Sequence, residues 1–192
     1  ELWSRVAVLA LEQPCFVYKD SRDLTGFIDG TANPSIPEAT AVACIPHGQP
    51  GAAGSFVLTQ RWLHDLGKFH AQSVEQQEDV IGRTKAESIE MDAARKPPTA
   101  HIARVEIEDD AGEERPIFRR STPFGTVHEH GLYFVAFSAE QDRFATMLGR
   151  MYGTDGDGLR DHLLDFSAAA TGSYFFAPSI DALNAIVGDS CA

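Results

Sequence analysis

Apolar residues recur along the chain with two different periods. In AEQDRFATMLGRMYG, Phe144, Met147, Leu148 and Met151 stand at helical spacing with polar residues between them, and the Gly/Asp cluster from Gly153 to Gly158 ends the helix they predict. Ser73 and Gln76 form an S-x-x-Q capping box that predicts a helix over SVEQQEDVIGR, ending near Gly82. HIARVEIEDD alternates instead: His101, Ala103, Val105 and Ile107 share one face and Ile102, Arg104, Glu106 and Glu108 the other, which predicts a half-buried strand. β-Branched and aromatic content predicts further strands at SFVLTQRW, PIFRR, TVHEHGLYFVAFS and SYFFAP, and CFVYKD is a shorter apolar run of strand length. Short helices are expected over residues 1–9, in LHDLGKFHAQ, in LRDHLLDFS and in SIDALNAIV, the last capped by Ser179. Between Thr31 and Gly54, Pro34, Pro37, Pro46 and Pro50 resist regular structure and predict a long surface connection. Strand, helices, antiparallel meander, helix, strand and helix in that order make an α+β fold, with helices on one face of an antiparallel sheet.

Composition narrows the class. The chain has 192 residues, 43% of them hydrophobic, with 16 Lys and Arg against 28 Asp and Glu for a net charge of −12. That is an ordinary globular balance for roughly one domain, and it excludes general disorder. An acidic chain without a Lys/Arg run lacks the electrostatic footprint for nucleic acid or an anionic membrane surface, so neither is an expected partner. No apolar stretch approaches the ~18 to 20 residues of a membrane-spanning helix, and no signal peptide is read at the start. Cys15, Cys44 and Cys191 are scattered and odd in number, which fits neither a disulfide framework nor a C-x-x-C metal site and favours a reducing cytosol. The chain opens at Glu1 without an initiator Met and runs almost at once into dense motif, so it is expected to be a piece of something longer.

Few residues invite chemistry. Asp29 stands between glycines in GFIDGTANP, where its carboxylate is either an Asx-turn or helix cap or a presented acid. His101 follows the rigid PPTA segment on an apolar face; it is either a hydrogen-bonded core residue or a haem ligand, which needs a neutral imidazole in a dry pocket with its second nitrogen held. In FRRSTPFG, strand alternation sends one of Arg119 and Arg120 inward, and an inward guanidinium requires an anionic partner. His128 and His130 share a strand face, but no third and fourth ligand has fitting spacing for a metal.

Taken together, RDLTGFIDGTANP, IGRTK, KPPTAHIARVE, RRSTPFGTVHEHGLYF and LLDFS, in this order from about Asp20 to Ile186, resemble the dye-decolorising peroxidases, bacterial haem proteins with a G-x-x-D-G signature, and in particular their small cytosolic B or P type. The resemblance implies a fold of two ferredoxin-like halves, the dimeric α+β barrel, with haem b held largely by the C-terminal half. Residues 1–19 would then be a remnant of the N-terminal half, 20–54 the signature segment and connecting loop, and 55–192 the C-terminal ferredoxin-like haem-binding domain. Position by position, it implies Asp29 as distal acid, His101 as iron ligand and Arg119 as distal arginine, with Ser121 beside the haem where some relatives have Asn. Asp165 of LLDFS matches a recurrent acidic position and is the expected partner of the His101 ring.

The implied activity is a cytoplasmic haem peroxidase that reduces hydrogen peroxide and oxidises dyes and other small aromatic reductants through a ferryl intermediate. A haem-binding protein for storage or iron release, with little turnover, is the alternative. A homo-oligomer is expected, and the tail GDSCA carries no evident docking extension for an encapsulating shell. Trp62, Tyr133, Tyr152 and Tyr174 are either core and strand filler or relays for electrons from bulky dyes.

Overall fold

The computed structural model describes residues 7–188. Its elements are α1 (Ile36–Ala43), β1 (Ser55–His64), α2 (Leu66–His70), α3 (Val74–Ile81), α4 (His101–Val105), β2 (Phe118–Arg119), β3 (Thr122–Gly125), β4 (His130–Ser138), α5 (Gln141–Tyr152), β5 (Ser167–Ala177) and α6 (Ile180–Val187). Single 3-10 turns stand at Lys19–Ser21 and His162–Asp165.

All strand pairs are antiparallel, in the order β2-β4-β1-β5, with β3 also on β4. Both β2 and β3 lie along β4, Phe118 opposite Phe137 and Thr122 opposite Tyr133, so they are one strand interrupted at Arg120 and Ser121. Counted this way the chain runs strand, helices, strand, strand, helix, strand, with the first and third strands central. This is the ferredoxin-like arrangement. Among the described residues no helix is long and apolar enough to cross a membrane.

The pleat of the central strands sets the interior. Leu58, Gln60 and Trp62 stand opposite Ala136, Phe134 and Leu132. Leu58 and Ala136 pack with Phe144 and Met147 of α5 and with Ile107 and Ile117, which closes the core over one end of the sheet. At the other end Phe27, Phe69 and Val80 form a smaller cluster backed by Leu163 and Phe166. The open space between the two clusters is the site described below.

Several local expectations give way to tertiary context. The reading of 101–108 as a strand is wrong: His101–Val105 is a helix, Arg104 N–H donating to the Ala100 carbonyl at 3.1 Å and Glu106 N–H to Ile102 at 3.0 Å. The positions that face inward, His101, Ile102 and Val105, follow the i, i+1, i+4 spacing of one helix face, which an alternation could not bring to one side. The connection 31–54 contains α1, because Pro37 lies in the first turn, where its missing N–H costs nothing, and Ser35 and Glu38 close a capping box. CFVYKD forms no strand; Phe16 N–H instead donates to the Pro123 carbonyl at 3.0 Å. The helix expected in LRDHLLDFS shrinks to a 3-10 turn, and β5 begins already at Ser167. Of the helix expected over 1–9, residues 1–6 lie outside the described residues and 7–9 have no regular structure.

Candidate functional site

The signature segment is a small hairpin. Arg22 and Ile28 bridge across it, Asp23 N–H donates to Phe27 and Gly26 N–H donates back to Asp23 at 2.9 Å. Gly26 has φ +94, and a Cβ there would meet Lys85 Cε at 2.8 Å, so the turn admits glycine alone without strain. Arg22 donates to the carbonyls of Gly26, Lys85 and Ala86, each at 2.8 Å, which ties the hairpin to the chain after α3. Asp29 leaves this hairpin facing the interior.

Asn33, four residues later, supplies a link that sequence reasoning missed. Its Oδ1 accepts from Arg119 N–H at 2.8 Å and its Nδ2 donates to the Arg119 carbonyl at 3.2 Å, as a neighbouring strand would. The amide therefore fastens the signature segment to β2, and Asp29 and Arg119 share the wall of one cavity. Arg120 faces outward and stacks over Phe118, 4.9 Å from its ring centre, so the pair divides between inside and outside as the alternation predicts. Burial holds the Asp29 carboxyl above the ordinary carboxylate range, and the Asp23 charge adds to this, against the opposing pull of Arg119 and His101.

His101, the first residue of α4, reaches the same cavity from the helical side. Its Nδ1 lies 2.7 Å from Asp161 Oδ2, and the Asp161 side chain is 0% exposed. The other Asp161 oxygen accepts from Leu163 N–H at 2.8 Å, while its own N–H donates to Met151 at 2.9 Å. The carboxylate thus has a fixed aim. It accepts a hydrogen bond from Nδ1–H and leaves Nε2 as the ring's free nitrogen.

Asp165 is not this partner. Its carboxylate accepts from Arg160 at 2.7 Å and is 43% exposed. The 3-10 turn decides between the two acids: Asp161 caps its start and points inward, whereas Asp165 ends it on the outer side. An Asp just before a short helical run is an N-cap signal, and that was the available clue.

The cavity has a volume of about 220 Å³ and is partly open to solvent. Trp62, Leu132 and Phe134 wall it on the sheet side, and Ile102, Phe144 and Met151 on the helical side. A second cleft, lined by Ser21, Arg120, Ser121 and Thr122, shares only Asp29, Gly30 and Arg119 with the first. The structure therefore brings His101, Asp29 and Arg119 together, sets Ser121 behind them and leaves Asp165 outside. Ser121 Oγ is buried without a hydrogen-bond partner. Of the four aromatic relay candidates, Trp62 lines the cavity, and the Tyr174 ring lies 6.2 Å from that of Phe144 in its wall.

Known proteins share this fold and much of this sequence. A variant of DypB from Rhodococcus jostii RHA1 in complex with heme superposes with a TM-score of 0.89 at 41% identity, covering 93% of this chain and 59% of that one. A dye-decolorizing protein from V. cholerae gives a TM-score of 0.88 at 42% identity over 95% of this chain and 62% of its own. The dye-decolorizing peroxidase of Mycobacterium tuberculosis is 44% identical over 172 residues, 88% of this chain and 51% of the relative. The chain spans about half the length of the curated relatives it matches. A family model described as Dyp-type peroxidase, C-terminal, matches residues 20–182, and with the ferredoxin-like topology and the shared cavity in place, the chain belongs to that family.

Proposed function

We propose that this chain is the haem-binding part of a peroxidase that reduces hydrogen peroxide and oxidises small aromatic molecules, dyes among them. The observation that carries this reading is the meeting, on one cavity, of an imidazole held by a buried carboxylate with an acid and a guanidinium from the signature side. The residues fit haem b: one imidazole nitrogen free to bind iron, apolar walls and an acid and a guanidinium for a polar ligand. Bound haem supplies the iron-centred redox chemistry.

His101 would hold the iron through Nε2, and Asp161, by accepting a hydrogen bond from Nδ1–H, would keep the ring in one tautomer and make it a stronger donor. Asp29 takes one proton from incoming peroxide at a carboxyl oxygen and returns it to the departing oxygen. Its raised proton affinity suits a group that must both accept and give. Arg119 stabilises the negative charge that develops on that oxygen, an effect worth ~3 to 4 kcal/mol for a single preorganised donor elsewhere. Ser121, at the back of the pair, has a free hydroxyl for a water or peroxide oxygen in the second cleft.

The test is made on the full-length protein loaded with haem. Asp29→Asn and Arg119→Leu should each slow the reaction with hydrogen peroxide by about 10² to 10³-fold while haem affinity stays the same. A haem storage protein would show no such loss.

We further propose a cytoplasmic location, supported by the free thiols at Cys15 and Cys44. We also propose that residues 1–19 are a remnant of the N-terminal half, 20–54 the signature segment and connecting loop, and 55–192 the haem-binding domain, with the barrel completed by a second ferredoxin-like half. Phe175, Ile180 and Ile186 are 57%, 77% and 77% exposed, which supports burial of β5 and α6 against more protein, including a homo-oligomer.

A further inference from the structure

A buried polar chain at the end of β1 has no part in the function above. His64 closes β1 on the face that carries Gln60 and Trp62, and its side chain is 6% exposed. Nδ1 lies 2.8 Å from the hydroxyl of Ser167, its register partner on β5. Nε2 faces Asp23 Oδ1 at 3.4 Å, and neither atom has a hydrogen-bond partner elsewhere among the described residues. A buried ring nitrogen and a buried carboxylate oxygen so placed compensate only each other.

The second oxygen of Asp23 is spoken for. It accepts from Thr25 Oγ1 at 2.8 Å and from Thr25 N–H at 3.2 Å, which closes the turn of the signature hairpin. The returning arm of that hairpin runs through Phe27 and Ile28 to Asp29. Asp23, Thr25, Asp29, His64 and Ser167 all line the main cavity. A ten-residue central strand, paired on both sides, is therefore joined through one imidazole and one carboxylate to the turn that aims the distal acid.

We propose that His64 is a positioning residue for Asp29, acting through Asp23. The inference rests on the peroxidase reading for its kinetic consequence but not for its structural one. The geometry also explains the position of Ser167: its hydroxyl can donate to Nδ1 or accept from it, so the ring keeps its hold on Asp23 in either protonation state. The working contact is the one to Asp23, and the contact to Ser167 only orients the ring.

Two amides separate these contacts, since the side-chain nitrogen of Asn falls near Nδ1 and that of Gln near Nε2. In the haem-loaded full-length protein, His64→Gln should keep the peroxide rate within about threefold, whereas His64→Asn should lose about 10- to 100-fold, the scale of a catalytic group displaced by about an ångström. In an Asp29→Asn background, His64→Asn should cost nothing more, because the residue it acts through is gone. In the haem-free protein, at a pH low enough to protonate it, the infrared band of the Asp29 carboxyl, identified by its loss in D29N, should shift in H64N and stay in place in H64Q. Should H64N not fold, Asp23→Ala carries the same two measurements. If wild-type protein does not react with peroxide, the functional reading fails while the infrared comparison still decides this one. Equal behaviour of H64N and H64Q, or the same loss with and without Asp29, overturns the proposal.

Discussion

Replacing Asp161 by Asn keeps the size of the side chain and an oxygen for Leu163 N–H, but it removes the charge that His101 Nδ1 meets at 2.7 Å. Because this carboxylate is 0% exposed, solvent screens nothing, and a hydrogen bond to a buried charged group is worth about 1.5 to 3 kcal/mol. At ~1.4 kcal/mol per factor of ten, that is roughly a 10- to 150-fold weakening of the iron bond the ring would make. Asp165 is the control. Its pair with Arg160 is 43% and 50% exposed, a surface contact worth about 0 to 1 kcal/mol, and it does not line the cavity. Titration of haem-free protein with haemin, followed at the Soret band, should show weaker binding in D161N and wild-type binding in D165N. Equal weakening in both variants, or an unaffected D161N, refutes the assignment of Asp161 as the holder of His101.

Burial raises the proton affinity of Asp29 in the folded state, so its contribution to stability is full below about pH 4 and is lost as pH rises through its raised value. Asp29→Asn has no such loss: it should melt above wild type near neutral pH, with the gap closing below about pH 4, and a wild type that melts higher near neutral pH contradicts the burial argument. Arg119→Leu should slow the peroxide reaction by about 10² to 10³-fold without changing the haemin titration; an unchanged rate in stopped flow removes Arg119 from the mechanism. A Cβ at Gly131 would collide with the Trp62 carbonyl, so Gly131→Ala must separate β1 from β4. It should cost about 1 to 3 kcal/mol or more in a denaturant melt, and an unshifted midpoint would show that the strands are not paired this closely.

The strands at SFVLTQRW, PIFRR, TVHEHGLYFVAFS and SYFFAP and the helices capped by Ser73 and Ser179 were legible because their signals are local, whereas β3 was not foreseen. The Ser73 box and the amphipathic stripe of α5 agree with what the tertiary structure requires. The residues that build the site divide along the same line. Asp29, His101 and Arg119, which line one cavity, were singled out by the resemblance of their contiguous motifs, although His101 sits on a helix rather than the strand its alternating neighbours suggested. Asp161, Asn33, Asp23 and His64 were not found, since each matters through a partner between 41 and 86 positions away that only the fold supplies. Choosing between Asp161 and Asp165 needed the phase of a single 3-10 turn, which a nine-residue window does not define. Pro37 misled for a related reason, because a proline that stops a helix in its middle is welcome in its first turn.

The account stands on an iron bond from the ring at position 101. Resonance Raman spectroscopy of the ferrous, haem-loaded, full-length protein reads that bond as an iron–imidazole stretch. Wild type should show the stretch, D161N should show it at lower frequency as the ring loses its charged partner, and His101→Ala should lose it. A stretch that survives unchanged in His101→Ala would mean that the iron is held elsewhere.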